Sequence, residues 1–263
     1  MQFVGKLFLY LLILVTSAFL ILPLLITIVG SFSVYWSSHL FSSGWTLDWY
    51  KQVFQNYGHT ILFTLIITLS TVVINILLGT MTAYQLSKSG HSWMKGIEEV
   101  LTLPVAVPGV AIALALIQTY PLIRESGVLL LIGHVVVTFP LLFRTVLGTL
   151  RTKNFQIFDD CAASLGAGPF YRFFYVILPS IKSAVLSGAI MVFMLSLGEF
   201  NMTFFLYTPF TMTLPVGLYD AYSTLRIEVG SAFTVVFLLL SIPLMYFLHK
   251  LNQSTTFSRN GGV

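Results

Sequence analysis

The chain has 263 residues, 57% of them hydrophobic and 8% charged, and its mean hydropathy is +0.91. A soluble domain carries about 25% charged residues, so the composition excludes an ordinary soluble protein and defines an integral membrane protein. The net charge of +4 comes from scattered basic residues and is no nucleic-acid signal, and the single cysteine, Cys161, excludes an internal disulfide and a cysteine-based metal site.

A spanning helix needs about 20 predominantly apolar residues. Stretches 7–29, 60–84, 100–120, 128–150, 184–206 and 232–248 qualify, which predicts an all-α membrane protein with six spans and a single transmembrane domain over residues 1–263. The first run, after Lys6, exceeds the 7–15-residue core of a signal peptide and reads as a retained span. Six spans put both termini on one side. With the N-terminus inside, the inner segments hold Lys6, Lys88, Lys95, Arg144, Arg151, Lys153, Arg172, Lys182, Lys250 and Arg259. The outer segments hold Lys51, Arg124 and Arg226. This bias places both termini in the cytoplasm.

The outer segment from Ser31 to His59 carries Trp36, Trp45, Trp49 and Tyr50, residues suited to the membrane interface. Thr46 is placed to cap a short surface helix from Leu47 to Gln55. The third span contains Pro104 and Pro108. Each removes a helix hydrogen bond, which gives either a kinked helix that packs well or a broken one lining a pathway. The fifth span carries Glu199, followed by Asn201 and Thr203. An ionisable group in a span must face protein or water, so Glu199 is either a pathway group or a local packing contact. His134, alone in the fourth span, reads as structural. The stretch from Thr208 to Gly230, with Asp220, Arg226 and Glu228, reads as a docking surface or a solvated connection. The tail from Asn252 to Val263 is rich in Ser, Thr and Gly and reads as disordered.

Residues 151–182 form the polar interruption of the C-terminal half. Here the sequence predicts a helix from Phe155 to Leu165, a turn at Gly166, Ala167 and Gly168, and a second helix opening at Pro169. Glycine suits the left-handed residue after a helix, and proline the first position of the next. No Walker-type glycine loop is present, no proton relay is visible, and no catalytic or metal-binding constellation stands out. Any ATP-driven step must therefore run on another polypeptide.

This stretch resembles the EAA motif of membrane-spanning subunits of bacterial ABC importers, the binding-protein-dependent permeases. The family pattern is Glu-Ala-Ala, three residues, Gly, nine residues, Ile-x-Leu-Pro. Here Asp160, Cys161 and Ala162 stand at Glu-Ala-Ala, followed by Ala163, Ser164, Leu165 and Gly166, and after nine residues by Val176, Ile177, Leu178 and Pro179. Asp160, Cys161 and Val176 depart from the pattern. TLDWYKQVFQN, LPVAVPGVAIAL and LGEFNMTFFL also look like this family, in the branch serving polyamines, ferric iron, thiamine, phosphonates, sulfate and molybdate.

The resemblance implies the type I importer permease fold and no enzymatic activity in this chain. It implies two cytoplasmic ATP-binding subunits that hold ATP and Mg, a second permease subunit, an external solute-binding protein and a bacterial inner-membrane location. It assigns ATPase coupling to Asp160, Cys161, Ala162, Ala163, Gly166, Ala167, Pro169, Leu178 and Pro179. Pathway candidates are Glu199, Asn201, Thr203, Pro104 and Pro108. The alternative is a secondary carrier or channel subunit acting without ATP.

Overall fold

The computed structural model describes residues 2–36, 44–89, 91, 93–152, 155–224 and 227–260. Lys153 and Arg226 lie outside these, as do residues 261–263 and the side chains of 251–260, among them Arg259. Helices dominate. They are α1 (Gln2–Gly30), α2 (Asp48–Lys88), α3 (Trp93–Thr102), α4 (Gly109–Thr119), α5 (Val128–Thr152), α6 (Phe155–Ser164), α7 (Pro169–Tyr171), α8 (Leu178–Ser180), α9 (Lys182–Leu197), α10 (Thr203–Leu206), α11 (Leu214–Ser223) and α12 (Ile227–Asn260). Short 3₁₀ turns cover Leu103–Val105 and Pro121–Ser126, and Arg172–Ile177 winds as a π-helix.

Among the described residues, four helices are long and apolar enough to span a bilayer: Gly5–Gly30, Asp48–Lys88, Val128–Thr152 and Ile227–Lys250. The expected third and fifth spans are broken. Trp93–Val105 and Gly109–Thr119 meet at a bend of 101°, and Pro169–Ser180 meets Lys182–Leu197 at 77°. The break at Ala106–Pro108 has a plain cause: Pro108 has no N–H to donate, and its ψ of 135° lies outside the helical range. The 11-residue α4 is only about 16 Å long, too short to cross the ~30 Å hydrocarbon layer alone. The fifth span ends early, at Leu197, and its chain resumes as α10.

Three other expectations are corrected. Residues 47–55 do not form a separate surface helix. Thr46 Oγ1 does accept the Asp48 N–H at 3.1 Å, but α2 runs on unbroken to Lys88 because no proline interrupts it. The tail is helical to Asn260, since extending a formed helix adds one bond per residue fixed and needs no new nucleus. The stretch from Thr208 to Gly230 is not a plain connection. It contains α11, and Thr211, Thr213, Leu214, Val216 and Ala221 are buried while Phe210, Tyr219 and Tyr222 stay exposed.

Two compact units are distinguished. The first combines residues 1–59 with 217–240. Its aromatic residues have specific partners beyond membrane anchoring. Trp49 donates to the Ser33 carbonyl at 2.8 Å, Tyr50 shares a 2.6 Å bond with Ser31, the Trp36 N–H donates to Glu228, and Tyr57 donates to Asp220.

The second unit combines 60–216 with 241–263. Its core is centred on α5 and α9. Leu142 of α5 is fully buried between two glycines. A Cβ on Gly188 would lie 3.0 Å from the Leu142 Cα, and one on Gly79 would lie 2.8 Å from Leu142 Cδ2. Without a hydrophobic drive in lipid, such close approach of backbones is what holds spans together. Asn75 and Thr138, both fully buried, add a 2.9 Å bond between α2 and α5.

Candidate functional site

The first candidate region is the hairpin made by α6 and the following turn. Helix α6 ends in a Schellman motif. The Ala167 N–H donates to the Ala162 carbonyl at 3.0 Å, and the Gly166 N–H to the Ala163 carbonyl at 2.9 Å. Gly166 takes φ +83°, the left-handed value that costs other residues roughly 1–2 kcal/mol. Gly168 is extended and Pro169 occupies the first helical position, where its missing N–H costs nothing. Pro179 lies in α8, and the chain leaves helical geometry just after it, at Ile181. Leu178 packs against the main core. Ala162 of the motif and its neighbour Ala163 thus supply the carbonyls that close the helix, and the glycine supplies the turn.

Asp160 and Cys161 are exposed, Ala162 is half-buried and Ala163 is exposed. The buried acid is its neighbour, Asp159, only 1% exposed. Its carboxylate accepts from Tyr84 at 2.6 Å, pairs with Lys88 at 2.6 Å and meets Arg172 at 3.3 Å. Burial pushes this carboxyl up, but the Lys88 and Tyr84 hydrogen bonds and the Lys88 and Arg172 charges outweigh it and hold it below its ordinary value. Asp159 therefore fixes α6 to the end of α2 and to the returning chain. Sequence reasoning missed it. The signal was the helical stripe of Phe155, Asp159 and Ala162, which share the inward face. Beside the inward acid, the hairpin leaves Ile157, Phe158, Leu165, Phe170, Tyr171 and Tyr175 more than half exposed.

The second region joins the two broken spans. Met202, fully buried, fills the space that Gly109 and Gly133 leave. A Cβ on Gly109 would lie 3.3 Å from the Met202 Cβ and 3.7 Å from the Asn201 Cβ, and one on Gly133 would lie 2.6 Å from the Met202 sulfur. The break after Pro108 and the break at residues 198–202 are therefore neighbours. Pro104, in contrast, sits in the 3₁₀ turn before the first break.

Glu199 is bound locally. Oε1 accepts the Met202 N–H at 2.8 Å, and Oε2 accepts the Thr203 N–H at 2.8 Å and its hydroxyl at 2.5 Å. The carboxylate supplies acceptors for N–H groups freed where α9 stops. Thr203 has one hydroxyl hydrogen, and Glu199 takes it. Its oxygen then accepts from His134 Nε2 at 2.9 Å, and His134 Nδ1 shares a 2.8 Å bond with the Ser196 hydroxyl. This assigns the proton to Nε2. His134 is thus bonded at both ring nitrogens, and both Glu199 oxygens are engaged by its own turn.

Among the described residues, no group of three or more His, Cys, Asp or Glu is placed to hold a metal ion. A bundle with two broken spans and a capped hairpin between α5 and α9 defines a multi-pass membrane permease. The chain belongs to the family of binding-protein-dependent transport system inner membrane components, whose model matches residues 75–256. It is therefore a multi-pass inner-membrane protein and an ABC importer permease subunit, in a family whose members transport rather than catalyse.

It is 29% identical over 239 residues to the putative 2-aminoethylphosphonate transport system permease protein PhnV of Salmonella typhimurium, covering 89% of each chain. It is 27% identical over 217 residues to the putrescine transport system permease protein PotI of Escherichia coli, covering 77% of this chain and 75% of the relative. Among solved structures, a bacterial ABC transporter involved in import of the acidic polysaccharide alginate matches with TM-score 0.74 at 13% identity, covering 96% of this chain and 97% of that one. The MetNI methionine ABC transporter matches with TM-score 0.61 at 14% identity, covering 74% and 94%. These likenesses give the type I importer permease fold.

Proposed function

We propose that this chain forms half of the translocation pathway of an ATP-driven importer of a small polar or charged solute. Polyamine, ferric iron, phosphonate and thiamine are the solute classes considered. In this reading both termini face the cytoplasm. Residues 151–182 dock on cytoplasmic ATPase subunits that bind ATP and Mg, a second permease subunit completes the pathway, and an external binding protein delivers the solute. Asp160, Cys161, Ala163 and the Gly166–Pro169 turn form the docking surface.

The observation that carries the coupling role is the division of labour between two adjacent acids. Asp159 anchors the hairpin inward, while Asp160 stands exposed beside a row of exposed apolar and aromatic side chains. A hairpin locked to its bundle and apolar on its free face transmits displacement as a rigid body. Glu199, Asn201, Thr203, Pro104 and Pro108 are proposed to shape the pathway through the helix breaks, Glu199 by capping.

The test is uptake in proteoliposomes containing this chain with its ATPase, permease partner and binding protein. ATP inside the appropriate compartment must drive uptake, and Asp160→Lys must abolish it while the protein stays in the membrane at normal abundance. Uptake driven by an ion gradient without ATP would instead establish the secondary-carrier alternative.

A further inference from the structure

Arg144 counts with the inner charges of the sequence although it falls inside the apolar run 128–150. It lies within α5, eight residues before the last residue, Thr152, or about 12 Å along the axis. Its side chain is exposed. A guanidinium at that depth is stable only when it faces protein or water. It donates one hydrogen bond, 2.9 Å to Thr102 Oγ1, and its remaining N–H groups have no partner among the described residues.

Two cavities meet at this side chain. One, about 580 Å³, is walled by Thr102, Ala106, Pro140 and Met191 together with Glu99 and Arg144. The other, about 540 Å³, is more polar and shares Glu99 and Arg144, adding Lys95, Glu98 and Arg151. Arg151 is already consumed by a two-pronged pair with Glu98 at 3.1 and 2.8 Å. Arg144 is therefore a cation with open hydrogen-bonding capacity, and it alone of the cations lining these two cavities reaches both the apolar chamber and the polar one. Glu199, the acid of the fifth span, has both oxygens occupied by its own turn.

We infer that Arg144, with Thr102 beside it, is an oxyanion-binding station on the translocation pathway, selecting solutes that carry a phosphonate, phosphate, sulfate or carboxylate group. A guanidinium fork matches such groups with paired hydrogen bonds, and charged side chains at a constriction set the sign of what passes. With Glu98 paired to Arg151, Glu99 offsets one of the two remaining cations, Lys95 and Arg144, and the single net positive charge favours an oxyanion partly balanced by an ammonium of its own over a bare polyanion. The inference rests on the permease reading above.

The experiment uses the complete transporter in proteoliposomes with 2-aminoethylphosphonate, sulfate and putrescine as probes. Wild-type protein is expected to take up 2-aminoethylphosphonate in an ATP-dependent way. Arg144→Gln should lower that uptake at least ten-fold, Arg144→Lys should restore part of it, and ATPase activity without solute should stay within two-fold. Unchanged uptake in Arg144→Gln overturns the station. So does uptake by wild-type protein of putrescine alone, which leaves the permease reading intact. No ATP-driven uptake of any probe removes the permease reading itself. A parallel set compares vesicles of phosphatidylcholine with vesicles containing phosphatidylglycerol. If wild-type activity requires the anionic lipid and Arg144→Gln abolishes only that requirement, the oxyanion is a lipid headgroup and the solute station is overturned.

Discussion

Lys88 Nζ lies 2.6 Å from Asp159 Oδ2, joining the last residue of a 41-residue helix to the middle of the hairpin helix α6. The contact is one side of a triangle, since Tyr84 donates to the other carboxylate oxygen and Arg172 approaches from the returning chain.

Removing the acid leaves two cations facing each other. Breaking a fully buried pair costs about 3–5 kcal/mol, but Lys88 is 31% exposed and keeps some water, so Asp159→Ala should cost about 2 kcal/mol. Thermal unfolding in detergent would show it. Asp160→Ala should leave the melting temperature unchanged and lower solute-driven ATP turnover. If the two substitutions behave alike, the inward and outward roles assigned to these neighbours are wrong.

The same triangle sets an acid limit. The Asp159 carboxyl is held below its ordinary value of 3.8, so its contribution is present above that value and is lost as pH falls through the lowered one. Stability of the hairpin should be flat from neutral pH to about pH 5 and fall only in stronger acid. Hydrogen exchange of the α6 amides against pH would report it, and Asp159→Asn should remove this part of the dependence.

Gly166→Ala introduces a Cβ that meets open space, so its whole cost is conformational, roughly 1–2 kcal/mol. The protein should remain folded and abundant, with α6 fraying at its C-terminal end and ATP-coupled uptake reduced. Gly166→Asn, which tolerates the left-handed region better, should lie between. Equal activity of all three would show that the turn geometry is not transmitted.

Thr203→Val keeps the volume and deletes the hydroxyl between Glu199 and His134. A buried group left without its partner costs about 1–3 kcal/mol. The expected result is a stability loss of that size, seen as a lowered melting temperature, and an NMR shift of His134 reporting loss of the Nε2 bond.

Much of the architecture was legible from sequence because apolar run length and the Gly-Pro turn are local signals. The motif spacing placed the hairpin within one residue of its observed start and end. The failures came where tertiary context decides. Pro104 and Pro108 announced a disturbance, but only the α5 and α10 neighbours fix it as a break after Pro108. Adjacent Asp159 and Asp160 differ in sequence only by the short helical stripe that Asp159 shares with Phe155 and Ala162, and the partners that hold Asp159, Tyr84 and Lys88, stand some 70 residues earlier. Glu199 looked like a lone charge because its partners are its own backbone amides, which a sequence does not display. Arg144 falls inside the apolar run 128–150, yet its charge counted with the inner ones, and only the positions of Thr102 and Glu99 show what it faces.

Met202 has a consequence for how this protein varies. Its side chain occupies the room that both Gly109 and Gly133 leave empty. A methyl gained at either glycine has to be answered by a loss at 202, and a smaller residue at 202 frees both glycines at once. Across relatives, these three positions should therefore change as a set, and a chimera that exchanges the third span without the fifth should fail by collision even where every individual residue is acceptable in its parent.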